Sequence, residues 1–134
     1  MKKFIRLIWF ILFLFGMVMF YITPVAVPNY VDKIYHFIGF AVLTILSISL
    51  FAAFFDKKWL NSFLVFLLIF GGAIAGIAEL AQKHFSAIRS CDYEDWIANL
   101  CGIVFVTLFV YLVNSRQESN LELFEEKFDV ESFS

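Results

Sequence analysis

Residues 92–113 read DYEDWIANLCGIVFVTLFVYLV: a group of acids, then an apolar run from Trp96 to Val113. At about 1.5 Å of rise per residue, such a run as a helix is close to the ~30 Å hydrocarbon thickness of a bilayer. The run is continuously apolar and lacks the ten-residue alternation of a barrel strand. Backbone inside lipid must satisfy its own hydrogen bonds, so the stretch reads as a transmembrane α-helix.

Three further runs have the same character: Phe4–Ile22, Ile34–Phe55 and Leu60–Leu80. The expected fold is therefore all-α, an integral membrane bundle of four transmembrane helices within residues 1–113, with spans at 4–22, 34–55, 60–80 and 96–113. Composition agrees. Hydrophobic residues make up 62% of the 134 and charged residues 16%, against roughly 45–50% and about 25% in soluble domains. A soluble chain this short buries too little of its surface to hide such an excess. Disorder and a disulfide scaffold are excluded on the same grounds. Cys91 and Cys101 stand ten positions apart, form no CxxC pair and read as free thiols.

Lys2, Lys3 and Arg6 precede the first run as in a secretory signal, but the run is long and no clean small-residue cleavage site follows. It reads as an uncleaved signal anchor. Pro24 and Pro28 separate the first two spans, and Asp56-Lys57-Lys58 allows only a tight turn between the next two. Four spans place both termini and that turn on one side, with Lys2, Lys3, Arg6, Lys57, Lys58, Arg116 and Lys127; the other side holds Lys33, Lys83 and Arg89. The excess predicts cytoplasmic termini. The segment 114–134 carries two basic and six acidic residues and reads as an acidic cytoplasmic tail, disordered, with Leu121, Phe124 and Phe128 as a short amphipathic pattern.

Polar groups are costly in lipid, so their placement points to function. Asp32 and His36 open the second span; Glu79 and Gln82 close the third; Asp92, Asp95 and Asn99 open the fourth, and Arg89 lies between the last two groups. The topology brings all of them to the outer face. Asp32 and His36 are i,i+4 neighbours. Asp92, Asp95, Asn99 and Gly102 form one helical stripe, as do Gly72, Gly76 and Glu79. Small residues on these stripes permit close helix approach, and Gly39 is placed to act likewise. The polar groups are thus expected to face the bundle interior. Helix capping accounts for Asp32, Asp92 and Glu94, but not for Glu79, His36 and Asn99 at membrane depth. His84 reads as a loop histidine.

His36, Glu79, Asp92 and Asp95 are metal-ligand types, yet no HExxH-like spacing is present; neither a metal nor a cofactor is assigned. Ser86 and Ser90 lack a nucleophile elbow, so no catalytic residue is assigned. Nucleic-acid binding lacks a basic patch.

The segments DKIYHFIGFAVLT and GIAELAQKHFSAIRSCDYEDWIANLCG resemble the VanZ-like membrane protein family. That pattern has Asp-Lys and His opening one helix, Glu and Gln ending the next, an Arg in the loop, and Asp-x-x-x-Asn-x-x-Gly starting the last. Here these are Asp32, Lys33, His36, Glu79, Gln82, Arg89, Asp95, Asn99 and Gly102. The resemblance covers about residues 30–113. Phe105 and Val106 stand where members often carry another small residue. It implies a multi-pass protein of the bacterial cell membrane and a link to low-level resistance to the glycopeptide teicoplanin.

Three functions fit the residues. In the first, the cluster of Asp32, His36, Glu79, Gln82, Arg89, Asp95 and Asn99 binds a lipid headgroup or an envelope precursor, with Arg89 as anion contact. In the second, Asp32 orients His36 as general base of a lipid-acting enzyme. In the third, the carboxylates and His36 relay protons in a small carrier.

Overall fold

A computed structural model describes residues 2–22, 28–85 and 93–132, with the side chains of 20–22, 29, 82–85 and 125–132 outside the description. The described residues are all-helical: helix accounts for 97% of them, and no strand occurs among them. The helices are α1 (Lys2–Ile22), α2 (Asn29–Phe54), α3 (Leu60–Phe85) and α4 (Tyr93–Ser132), with a single 3₁₀ turn at Lys57–Trp59. Three stretches, Tyr30–Phe54, Lys57–Ala81 and Tyr93–Phe124, are long and apolar enough to cross a membrane, as a multi-pass membrane protein requires.

Burial is inverted relative to a soluble fold. Among the described residues the buried hydrophobic side chains are Phe40, Leu64, Ala75, Ile103 and Val106, whereas seven polar ones are buried: His36, Thr44, Glu79, Asp95, Asn99, Thr107 and Asn114. Large apolar residues such as Trp9, Ile69, Ile77, Phe105 and Phe109 are more than half exposed. Apolar surface of this extent belongs against lipid, where polar groups must turn inward.

α4 packs chiefly against α2 and α3, and α1 lies along α2. Gly102 sets the approach of α2 to α4. A Cβ there would collide with the Phe37 carbonyl oxygen and lie 3.0 Å from the Ala41 nitrogen, so the two backbones meet directly. Gly72 and Gly76, flagged by spacing, instead receive side chains: Leu100 against Gly72 and Trp96 against Gly76. Gly39 packs under Met17 of α1, so its small size serves α1 rather than the α2–α4 seam. The Trp96 indole N–H donates to the Gly72 carbonyl at 3.2 Å, tying α4 to α3.

Hydroxyls in the bundle close on their own helices. Thr44 Oγ1 donates to Phe40 O at 2.7 Å, Ser47 Oγ to Leu43 O at 2.8 Å, and Thr107 Oγ1 to Ile103 O, which removes the cost of an unmet donor in lipid. Arg6 near the start of α1 donates to the Ser49 carbonyl at 3.0 Å. This contact fixes α1 antiparallel to α2 and places a cation near the negative end of the α2 dipole.

Element boundaries depart from the expected ones. α2 begins at Asn29, with Pro28 at its N-cap and no side-chain cap; Val31 N–H and Asp32 N–H donate to Pro28 O at 2.9 and 3.1 Å. Proline's fixed φ and missing N–H suit a helix start, so Asp32 lies inside the first turn and is not the cap. α3 runs to Phe85, which puts His84 in a helix and not in a loop. α4 continues to Ser132 through the segment read as a disordered tail. Residues 114–132 contain neither Gly nor Pro and include five Glu, a good helix former that extends a helix already nucleated.

Candidate functional site

The starts of α2 and α4 and the end of α3 meet at one end of the bundle. His36 lies seven residues inside α2, Glu79 six residues before the end of α3, and Asn99 six residues inside α4. At 1.5 Å per residue these three share a depth of about 9–10.5 Å from their helix ends.

Asn99 is the junction, with no solvent exposure. Its Nδ2 donates to Glu79 Oε1 at 2.7 Å, and its Oδ1 lies 3.0 Å from His36 Nδ1. The same His36 nitrogen lies 3.4 Å from Glu79 Oε1. The other ring nitrogen, Nε2, is 3.9 Å from both Asp32 Oδ2 and Asp95 Oδ2. One residue from each of three helices thus joins through one amide, and two carboxylates lie beyond the imidazole.

Lys33 closes the outer edge. Its ammonium is 2.8 Å from Glu94 Oε2 and 3.5 Å from Asp95 Oδ1. Asp95 therefore faces Lys33 with one oxygen and His36 with the other. Glu94 is 62% exposed, whereas the Asp95 side chain is 8% exposed, so the outer pair is weak and the charge that matters is the buried one. His36 and Glu79, both 2% exposed, depend on their hydrogen bonds to remain tolerable at this depth.

Of the seven expected site residues, five converge: Asp32, His36, Glu79, Asp95 and Asn99. Gln82 sits in the last turns of α3, its side chain outside the described residues, and Arg89 lies outside them altogether, as does Asp92, which belongs to the expected stripe but not to the seven. Cys101 is a free, exposed thiol; Cys91 lies outside the described residues. Two contributors were not singled out by spacing. Lys33 shares a face with His36 at i,i+3, a signal that was present. Trp96 shows in the sequence only as the start of an apolar run.

Beside the cluster, a cleft of about 490 Å³ runs between α3 and α4, lined by Ala73, Gly76, Ile77, Leu80, Tyr93 and Trp96, with Glu79 in its wall. Ile77, Leu80 and Tyr93 are each more than 60% exposed, so the cleft opens on the outer surface of the bundle. Small residues on α3 create it, and Trp96 with Tyr93 (ring centroids 5.6 Å apart) forms its other wall.

Comparison with known protein families, with curated proteins and with solved structures finds no match to this chain.

Proposed function

We propose that the chain is a VanZ-like, multi-pass protein of the bacterial cell membrane that binds an amphipathic, lipid-linked ligand at its outer face. In this reading α1 is a fourth span, both termini are cytoplasmic, and the cluster of Asp32, His36, Glu79, Asp95 and Asn99 receives the polar end of the ligand. The observation that carries the reading is the cleft between α3 and α4: apolar, open on the outer surface of the bundle, and ending on buried Glu79. An apolar groove with a few convergent polar groups is the usual form of a small-molecule site. Arg89, between α3 and α4 in the sequence, supplies the guanidinium suited to phosphate or carboxylate. The excess of Lys and Arg on the terminal side supports the orientation. The ligand class is a lipid headgroup or an envelope precursor, and the resemblance connects it with glycopeptide resistance.

Catalysis is less favoured by the same geometry. His36, the best general-base candidate, is 2% exposed and engaged by Asn99, whereas a base must reach its substrate within hydrogen-bond distance.

The test is native mass spectrometry of the full chain released from membranes. Wild type should carry a co-purifying lipid. Leu80→Trp, which fills the cleft from an exposed position, and Arg89→Ala should each lose most of it while inserting normally. Retention of lipid by both variants, or none on wild type, would overturn the reading.

A further inference from the structure

Asn99 determines which nitrogen of His36 carries a hydrogen. Its Nδ2 donates to Glu79 Oε1 at 2.7 Å, so its Oδ1 is the atom 3.0 Å from His36 Nδ1. A carbonyl oxygen only accepts, so Nδ1 donates to it. In the neutral ring, Nε2 then presents its lone pair on the far side of the imidazole. On that side stand Asp32 Oδ2 and Asp95 Oδ2, each 3.9 Å from Nε2. The three atoms lie within 4.8 Å of one another.

Lys33 sits between Glu94 at 2.8 Å and the outward oxygen of Asp95 at 3.5 Å. The inward oxygen of Asp95, Oδ2, is the one turned to the imidazole.

We propose that Asp32 Oδ2, His36 Nε2 and Asp95 Oδ2 form a binding site for a divalent transition-metal cation. One imidazole and two carboxylates suit zinc or manganese. The outer contacts have the form that metal-ligating histidines show: the second ring nitrogen donates to a fixed acceptor, which sets tautomer and ring plane. Here that acceptor is Asn99, itself held by Glu79. Two ligands come from one face of α2 at i,i+4, and the third comes from α4 across the close approach at Gly102. The cation enters from the bundle mouth, where the Asp32 side chain is 18% exposed. Spacing alone assigns no metal here, because the third ligand is 59 residues beyond the second in sequence and is brought in only by helix packing. The site does not rest on the lipid-binding reading.

The test uses the full chain in phosphatidylcholine nanodiscs, stripped with chelator and titrated calorimetrically with Zn²⁺. Wild type should take up one equivalent with micromolar or tighter affinity. His36→Gln and Asp95→Asn should each abolish that binding. Asn99→Ala should weaken it by about 10–100-fold, as loss of an outer-shell partner does. Asp56→Asn, an exposed acid at the opposite end, should leave it unchanged. Pulsed electron paramagnetic resonance of wild type loaded with Mn²⁺ adds a readout independent of variant folding: coupling to one imidazole nitrogen. Equal zinc uptake by wild type and His36→Gln, no uptake by wild type, or manganese without nitrogen coupling would overturn the proposal. Lipid co-purification measured in parallel separates failure here from failure of the lipid reading.

Discussion

The two ends of the bundle are held by different means. At the end where α2 and α4 begin, a continuous polar network crosses three helices through Asn99. Toward the other end a ladder of phenylalanines runs from α2 onto α3. Phe51 stacks on Phe55 at 4.9 Å and on Phe63 at 4.1 Å, and Phe66 stacks on Phe70 at 4.4 Å between ring centroids. Both arrangements join helices, but they differ in what they specify. Lipid tails are as apolar as phenylalanine, so ring burial gives little drive for helices to associate in a membrane. Stacked rings also tolerate sliding and rotation. A hydrogen bond between Asn99 and Glu79 tolerates neither, since an ångström of displacement leaves a charge unmet. The polar end therefore sets register, and the aromatic end adds area.

This contrast predicts a graded series of effects on thermal unfolding in detergent, followed by far-UV circular dichroism. Gly102→Leu should be the most damaging. Its new side chain meets the Phe37 carbonyl and the Ala41 nitrogen, backbone atoms that cannot turn aside as a side chain would. Overpacking typically costs about 1–3 kcal/mol, and backbone against backbone should reach or exceed the upper value. A Gly102→Leu protein that melts like wild type would show that α2 and α4 do not meet as described. Asn99→Ala comes next, at about 1–3 kcal/mol, because it strips Glu79 and His36 of a shared partner at membrane depth. Asn99→Asp tests the same contact from another side, since it replaces the amide donor facing Glu79 with an acceptor and should be no better tolerated. The smallest effect should come from Phe66→Leu in the ladder, about 0.5 kcal/mol, since Phe66 is 47% exposed and its stacking on Phe70 and, more distantly, on Phe63 is only partly lost. If Phe66→Leu costs as much as Asn99→Ala, the division of labour between the two ends fails.

Much of the fold can be read along the chain. A helical bundle with membrane-length apolar runs follows from run length and composition, and the meeting of Asp32, His36, Glu79, Asp95 and Asn99 follows from antiparallel order. Boundaries were less legible. Pro28 starts α2 earlier than the hydropathy alone implies, and the acidic segment after Asn114 continues α4 because helix propensity, not hydropathy, governs extension beyond an existing helix.

The sequence by itself determined which residues share a stripe and which helix ends are neighbours, because both depend only on the 3.6-residue period and the order of spans. The tertiary structure decided which atoms meet. That depends on how far each helix is rotated and shifted along its axis, and the contact of Gly102 with the α2 backbone, together with the packing of Trp96 and Leu100 on the α3 glycines, sets it. For this reason Asn99 faces both His36 and Glu79, and Asp95 turns one oxygen to Lys33 and the other to the imidazole, relations that spacing along any single helix does not contain.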